Sequence, residues 1–546
     1  MTGSEGAVIR RALVSVSDKS GLAAFARALT GLGVEIVSTG GSAAALRDAG
    51  IAVRTVEEVT GFPEMLDGRV RTLHPKIHGA ILADRSNADH MRAIARLGIE
   101  PIDLVVVNFY PFARVFAESV SADDATELID IGGPSLARAA AKNAAGAAPV
   151  TSPARYDALL AELRASGGRL SPATRAALRR EAFLATAAYD AAIARFLGGE
   201  AQTASAGAAC VIPDPLALFL AGGEALRYGE NPHQAAALFP FPAGDAAAAY
   251  RVLGGKALSY NNLIDLDAAA RVVQPVESPC VAIVKHTNPC GVAKGAFPED
   301  AFRRAREGDP VSAFGGIVAV NCPVNAALAE LLAQTFFEAV IAPAIDPAAV
   351  ERLAERKNLR LVEAPALGTP GTPLPPAIEV RGTLFGYLAQ SADRESAREG
   401  AGGAGATAVR AGAPATAWRL AAGDSPQPGL LDDGRFAWHV ARHVKSNAIV
   451  LVRDGRTIGV GAGQMSRVES VALAIRKARA AGHDTDGCAL ASDGFFPFPD
   501  GVEEACAAGV KLIVQPGGSV KDDEVARAAE RGGAAMLLTG RRHFRH

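Results

Sequence analysis

The chain has 546 residues, 49% hydrophobic and 21% charged, and its 56 Lys plus Arg stand against 58 Asp plus Glu for a net charge of −2. That length exceeds one ordinary core and predicts roughly two to four domains, while the near-neutral balance excludes binding to nucleic acid or anionic membrane through global charge. Six scattered cysteines without a CxxC pair, no basic-then-apolar leader over residues 1–11 and no uninterrupted apolar span predict a cytoplasmic protein without disulfides or a membrane-spanning helix.

Ala12–Val16 reads as a strand, followed by Ser17-Asp18-Lys19-Ser20-Gly21 and a helix with Leu22, Phe25, Leu29 and Leu32 at helical spacing. Val34–Val37 is the next strand, Ser38-Thr39-Gly40-Gly41-Ser42 opens a second helix, and Ile51–Val56 is a third strand. This alternation predicts a parallel sheet with helices on both faces and one crevice at the strand carboxyl ends. Hydroxyls, glycines and Lys19 at the two helix starts suit a phosphate, although Ser17, Asp18 and Ser42 serve equally as plain helix caps. The run Asp67–Gly79 gathers Arg69, Arg71, His74, Lys76 and His78 without a matching acidic run, which favours an anion site over a solvated face. Leu104–Val107 is an apolar strand ending in Asn108-Phe109-Tyr110, and Ile129-Asp130-Ile131-Gly132-Gly133-Pro134 opens a helix that carries Arg138 and Lys142. Asp130, Tyr110 and Lys142 are candidate acid–base groups, though the helix dipole alone favours a lysine near a carboxyl end. Ser171–Leu197 is helical, so residues 1–198 form a first domain, 199–210 a Gly/Ala/Ser/Thr-rich linker and 211–546 a second region.

The second region begins at Leu226-Arg227-Tyr228-Gly229, where an Arg–Tyr pair suits a phosphate and a base but also occurs in turns. Leu258–Asn262 is a polar loop before a helix start at Asp265. Val281–Val284 is a buried strand that delivers Lys285 and His286, with Thr287–Gly291 as a turn broken by Pro289 and Gly291. Imidazole titrates near neutrality and a neighbouring ammonium disfavours its protonated form, which suits a base. Taken alone, the dipeptide reads more readily as a strand-end cap. Asp309–Gly316 precedes a strand at Ile317–Val320, and the Ala/Gly-rich 389–417 reads as a surface insertion without function. Val444–Val450 and Ile458–Arg467 read as strand-edge loops, and their glycines miss the GxGxxG register of a dinucleotide fold. Phe495, Phe496 and Phe498 make either core or a wall for a flat heterocycle, and Ile513–Ser519 ends in a glycine turn.

In order, SVSDKSGL, STGGSA, DGRVRTLHPKIHG, NFYPF, IDIGG, RYGENPHQ, VKHTNPCG, SAFGG, VKSNAIV, GAGQMSR, SDGFFPFPDG and QPGGS resemble one family nearly end to end. It is the bifunctional purine-biosynthesis family that joins AICAR formyltransferase to IMP cyclohydrolase. The resemblance implies an α/β chain: an N-terminal methylglyoxal-synthase-like doubly wound parallel sheet, then C-terminal duplicated cytidine-deaminase-like α/β domains. It also implies formyl transfer from 10-formyltetrahydrofolate to AICAR, dehydrative ring closure to IMP, and a homodimer that shares the transfer site. Among motif-matched positions, Lys285, His286 and Asn447 carry the transfer, with His286 as base, Lys285 as its tuner and proton donor, and Asn447 as oxyanion donor. Arg227, Tyr228, Gly315, Glu338, Arg467, Phe495, Asp500, Gly517, Gly518, Arg542 and Phe544 match nucleotide or folate contacts. In the first domain Ser17, Asp18, Lys19, Thr39, Gly40, Gly41, Ser42, Arg69, Val70, Arg71, Thr72, Asn108 and Ile131 match nucleotide contacts. Lys142, Asp130 and Tyr110 there would manage protons in ring closure.

Arg71 departs from the Lys of many relatives, which leaves it a binding role because a guanidinium donates no proton near neutrality. The tail Arg541–His546 matches loosely. A zinc deaminase, the rival on a similar fold, needs H-x-E with P-C-x-x-C, yet Ala293 follows Cys290 and Ile283 follows Cys280 at the required spacing. No transition metal is therefore expected, and a monovalent cation stays open. A non-catalytic nucleotide-binding regulator, the other rival, leaves the second region unexplained.

Overall fold

The computed structural model describes residues 7–110, 112, 122–197, 212, 216, 218–220, 222–241, 248–370, 372, 374–393 and 418–546. The expected linker lies outside these, as does 394–417 of the Ala/Gly-rich stretch. The chain divides into two compact units, Met1–Phe219 and Leu220–His546. Among the described residues no helix is long and apolar enough to cross a membrane.

In the first unit, β1 (Arg11–Val16), β2 (Glu35–Ser38), β3 (Arg54–Thr55), β4 (Leu104–Asn108) and β5 (Ala148–Val150) form a sheet of order β3-β2-β1-β4-β5. All neighbours are parallel. Side chains alternate along the strands. Ala12 and Val14 join Phe25, Leu29 and Val106 in one core, while Leu13, Val37 and Val105 join Ile77, Ile81 and Leu136 in another. Burial on both faces explains why the strands read as continuous apolar runs. The order turns back between β1 and β4, and a crevice at such a switch point is where open α/β sheets hold ligands. The third strand is shorter than Ile51–Val56. Thr55 caps a helix, Val56–Thr60, in a capping box with Glu58, so only Arg54–Thr55 remain extended.

The second unit is built on a 12-stranded sheet made of two six-stranded halves. One half contains β8 (Arg251–Gly254), β9 (Cys280–Lys285), β10 (Asn288–Lys294), β11 (Ile317–Val320), β12 (Ala339–Ala342) and β13 (Arg360–Glu363). The other contains β16 (Arg419–Ala422), β17 (Ile449–Arg453), β18 (Arg456–Gly461), β19 (Ala489–Ser492), β20 (Leu512–Gln515) and β21 (Ala535–Leu538). The order is β16-β21-β20-β19-β17-β18-β10-β9-β11-β12-β13-β8, so the halves meet where β10 pairs antiparallel with β18. Each half repeats one plan: edge strand, helix, hairpin, helix, then three parallel strands joined by helices. The first helix of each half, Tyr260–Val273 or Pro428–Ala441, packs on one face against Ala282, Val284, Val450 and Val452. Val281 and Ile283, like Ile449 and Leu451, point to cores on the other face. Two small hairpins stand apart: β6 (Glu224–Leu226) with β7 (Ala236–Leu238), and β14 (Ile378–Thr383) with β15 (Gly386–Ser391).

Several sequence expectations change here. Pro289 and Gly291 do not break a turn; both lie inside β10, where the register shifts between them. A proline is tolerated at such a bulge because its missing N–H removes no ladder bond. Gly291 must be bare, since a Cβ there would run into the Ala305 carbonyl of the helix Pro298–Gly308. Of the stretches 444–450 and 458–467, residues 444–448 and 462–466 are loops as expected, while 449–450 and 458–461 lie in the central hairpin β17–β18. Gly459 and Gly461 are bare because Ala474 and Ser470 carbonyls of the helix Arg467–Ala480 press on them. Asp265 lies in the second turn of its helix, which starts at Tyr260 behind a Ser259–Asn262 capping box. Residues 389–391 belong to β15.

Candidate active sites

In the first unit the loops leaving β1, β2 and β4 converge. Asn108 Oδ1 accepts the N–H groups of Ser17 (2.7 Å) and Asp18 (2.8 Å), and its Nδ2 donates to the Asp18 carbonyl at 3.0 Å. One side chain thus stitches β1 to β4 across the switch point. Ser42 Oγ accepts from Val16 N–H at 2.9 Å, which draws in the loop after β2. Gly40, at φ 50, leaves the space that the Arg71 guanidinium fills, and Thr72 lies against Gly132. Lys19 reaches toward Gly41. The helices Leu22–Gly31 and Gly40–Asp48 start without a side-chain cap, whereas the Asp130 carboxylate takes the first N–H groups of the helix Gly132–Lys142. The free N–H groups of the first two helices carry partial positive charge, and Lys19 and Arg71 add full charges, which suits an anion. The Thr39 hydroxyl is buried without a partner among the described residues.

Asp130 sits at the mouth of the third helix. Its Oδ1 accepts from Gly133 N–H at 2.8 Å, and its own N–H donates to the Tyr189 hydroxyl at 2.7 Å. Burial raises its carboxyl pKa, against the lowering pull of the Gly133 and Gly132 N–H groups. Tyr110 packs in the small cluster around Tyr189, and Ile131 is exposed. Arg69 pairs with Glu127 and Arg71 with Glu64, both acids outside the run Asp67–Gly79. Val70 lines a cavity of about 280 Å³ with Phe62, Glu64 and His74. Lys142 is not brought to Asp130. It ends the 11-residue helix whose start Asp130 flanks, about 15 Å away at 1.5 Å per residue, and is exposed.

In the second unit Lys285 ends β9, and His286-Thr287 form the two-residue turn into β10. Both turn residues have positive φ, 52 and 60. His286 is exposed, and Lys285 Nζ donates to the Phe314 carbonyl at 2.9 Å. Asn288 Nδ2 donates to the His286 carbonyl at 3.0 Å, and its Oδ1 accepts from Lys445 N–H at 2.9 Å. That link carries the turn to Lys445–Asn447. Asn447 donates to the carbonyls of Gln464 (2.9 Å) and Met465 (3.2 Å), while its Oδ1 accepts from Arg467 at 2.7 Å. Arg467 is buried and also donates to Ser492 Oγ at 2.7 Å and Asp493 Oδ1 at 2.5 Å. Gly494 is bare beneath the Phe544 ring and Arg467. Lys445 Nζ donates to the His546 carbonyl at 2.8 Å, and burial, then the Arg545 and Arg381 charges, lower its pKa.

The structure therefore assembles Lys285, His286, Asn447, Arg467 and Phe544, and adds Asp265, Asn288 and Asp493, which the sequence did not single out. Gly315, at φ 74, follows the Phe314 carbonyl that holds Lys285. Glu338 pairs with Arg360 at 2.5 Å. Arg227 lies over the Tyr228 ring at 5.5 Å in the β6–β7 loop; among the described residues no hydrogen bond or ion pair ties it to the His286 turn. Phe495 and Asp500 follow β19, Gly517 and Gly518 follow β20, and Arg542 lies over Phe544 at 4.8 Å. Phe496 is core, whereas Phe495 and Phe498 are exposed. A cavity of about 590 Å³ opens at the other hairpin turn, Asp454-Gly455, lined by Lys294, Arg304, Arg453, Asp432 and Asp433. Among the described residues no group of three or more His, Cys, Asp or Glu side chains could hold a metal ion.

Comparison with known proteins gives matches over most of the chain. The family model described as AICARFT/IMPCHase bienzyme matches residues 140–477, and the MGS-like domain model matches 21–135. A curated relative from Cereibacter sphaeroides, "Bifunctional purine biosynthesis protein PurH", is 49% identical over 98% of this chain and 99% of its own. A protein of the same description from Ruegeria pomeroyi is 46% identical over 98% of this chain and 99% of its own. The solved structure "Crystal structure of ForH" is 37% identical and covers 36% of this chain and 100% of its own, at a TM-score of 0.31.

Proposed function

The chain belongs to the AICARFT/IMPCHase bienzyme family, and from that premise we propose which residues of each unit do the chemistry. The enzyme moves a formyl group onto AICAR and then closes the product, with loss of water, to IMP.

We assign formyl transfer to the second unit. The observation that carries this is an exposed His286 at a hairpin tip, next in the chain to Lys285, whose ammonium is fixed on the Phe314 carbonyl. The AICAR amine is aromatic and conjugated with a carboxamide, so it needs a base. His286 takes the amine proton as nitrogen attacks the formyl carbon of 10-formyltetrahydrofolate. Lys285 protonates the departing folate nitrogen. Asn447 stabilises the oxyanion once it gives up one of its two bonds to Gln464 and Met465, an effect typically worth about 3–4 kcal/mol.

Ring closure falls to the crevice of the first unit. Two uncapped helix starts with Lys19 and Arg71 suit the substrate phosphate. Asp130, whose burial favours its protonated form, and Tyr110 handle protons as the carboxamide nitrogen attacks the formyl carbon and water leaves. Lys142 stands too far along its helix to join them without a rearrangement.

The repeated plan of the larger unit supports reading it as two cytidine-deaminase-like α/β domains. The β14–β15 hairpin supports a homodimer, since Leu384, Phe385 and Tyr387 are 94, 95 and 84% exposed. Among the described residues five cysteines are free, which fits a reducing cytoplasm.

The test is His286→Ala assayed for both steps. Tetrahydrofolate release should vanish while ring closure of supplied formyl-AICAR persists. Loss of both activities in a folded protein would refute the two-site assignment.

A further inference from the structure

We infer that Asp265 is a positioning residue for formyl transfer: its carboxylate holds the His286-Thr287 turn in the backbone conformation that presents the imidazole. The inference rests on the reading of His286 as the base.

A two-residue hairpin turn with positive φ at both positions is the type I′ turn, which favours Asn-Gly or Asp-Gly because those residues tolerate left-handed backbone. The duplicated half of this unit follows that rule. Its hairpin β17–β18 turns at Asp454-Gly455, with φ of 52 and 71. The β9–β10 hairpin has nearly the same angles, 52 and 60, with His and Thr instead. A β-branched residue at φ 60 is strongly disfavoured, so this turn does not hold its shape by local preference.

Both turns are gripped from below in the same way. Asp265 Oδ1 accepts from Thr287 N–H at 2.6 Å and its Oδ2 faces His286 N–H at 3.3 Å. In the other half Asp433 Oδ1 accepts from Gly455 N–H at 2.6 Å and Oδ2 from Asp454 N–H at 2.8 Å. The two aspartates occupy the same place, the second turn of the first helix of each half. Where the turn residues suit the conformation, the carboxylate is a supplement. Where they are His-Thr, it is what holds the turn. Asn288 closes the other side by donating to the His286 carbonyl at 3.0 Å. Holding both N–H groups and the His286 carbonyl fixes the direction in which the His286 side chain leaves the backbone.

Asparagine at 265 offers one acceptor where two N–H groups need acceptors, and its NH2 would face a donor. In the full-length enzyme Asp265→Asn should lower kcat for transfer about tenfold or more, leave both KM values within about twofold, and leave ring closure intact. Thr287→Gly should restore most of that loss in the Asp265→Asn background, because glycine takes φ 60 unaided. Asp433→Asn should leave transfer within about twofold, since Asp-Gly needs no such grip. Unchanged kcat in Asp265→Asn, or no recovery with Thr287→Gly, overturns the inference; the second result would mean that Asp265 acts on substrate or proton instead. If Asp265→Asn alone does not fold, the comparison moves to the glycine background. There Asp265→Asn should stay within about threefold of Thr287→Gly alone, and a drop of about tenfold overturns the inference. His286→Ala keeps the premise separate, because transfer surviving that change sinks the role of His286 rather than that of Asp265.

Discussion

Arg467→Met removes the cation of a buried network and isolates its carboxylate. The Arg467 side chain is 6% exposed and that of Asp493 is 0% exposed. Arg467 donates to Asp493, Ser492 and Asn447, while Ser446 Oγ also donates to Asp493 at 2.5 Å. Removing one partner of a buried pair leaves an uncompensated charge, at a cost of about 3–5 kcal/mol. Neutralising the other partner as well, in Arg467→Met with Asp493→Asn, removes that stranded charge. The double variant should recover to within about 2 kcal/mol of the parent, the remainder being the lost neutral hydrogen bonds. Urea unfolding followed by tryptophan fluorescence isolates the effect, because both tryptophans, Trp418 and Trp438, lie in the second unit with rings 6.3 Å apart. Both variants should fail in formyl transfer, since Asn447 loses the donor that fixes its amide, and both should keep ring closure. A single-variant loss below about 1 kcal/mol, or a double variant less stable than the single, would refute the buried-charge reasoning.

Gly40→Ala puts a methyl group where the Arg71 guanidinium lies and imposes a left-handed φ of 50 on alanine, a strain of about 1–2 kcal/mol. The KM for ring closure should rise about tenfold with transfer untouched, and an unchanged KM would remove Arg71 from phosphate binding. His439 and His443, buried with rings 5.3 Å apart, predict an acid-sensitive second unit. Burial, then the Arg442 charge, pushes His439 down to about 3 from 6.5 and lowers His443. The folded state keeps both imidazoles neutral, so stability is complete above pH 6.5 and is lost as pH falls toward 3. The slope is at most about 1.4 kcal/mol per pH unit for each imidazole. A flat urea midpoint between pH 7.5 and 5.5, followed by the same fluorescence, would refute this.

Much of the first unit was legible because its strands are buried on both faces and its helices follow at once, leaving a clear alternation. Contacts between distant residues were not. Asn108 reads as a strand-end polar residue, and nothing local says that its one oxygen serves two amides of the β1 loop. Glu127, 58 residues along the chain, pairs with Arg69 of a loop that looks unpaired in isolation. Asp130 opens the helix that Lys142 ends, and helix rise alone keeps these two candidate acid–base groups about 15 Å apart. In the second unit Pro289 and Gly291 looked like breakers because local propensity treats them so. Tertiary packing decides otherwise: the bulge absorbs the missing N–H, and the helix carbonyl of Ala305 demands a bare backbone. The repeated plan of the second unit was implied by the family resemblance and could not be read from the turn residues. The halves share a topology but encode the same hairpin turn with different residues, Asp-Gly in one and His-Thr in the other.

Those mismatches between local preference and observed structure are not scattered at random. In the first unit the helices that open after β1 and β2 lack the side-chain caps that Thr55 and Asn87 supply to other helices. The buried Thr39 hydroxyl without a partner belongs to the same loops. In the second unit the disfavoured His-Thr turn coincides with the exposed imidazole. On the roles proposed above, a capping side chain would occupy the N–H groups offered to a phosphate, and Asp-Gly in place of His-Thr would remove the proposed base. On that reading the local defects serve the chemistry, and in the hairpin Asp265 and Asn288, distant from the turn or beside it, hold the disfavoured conformation.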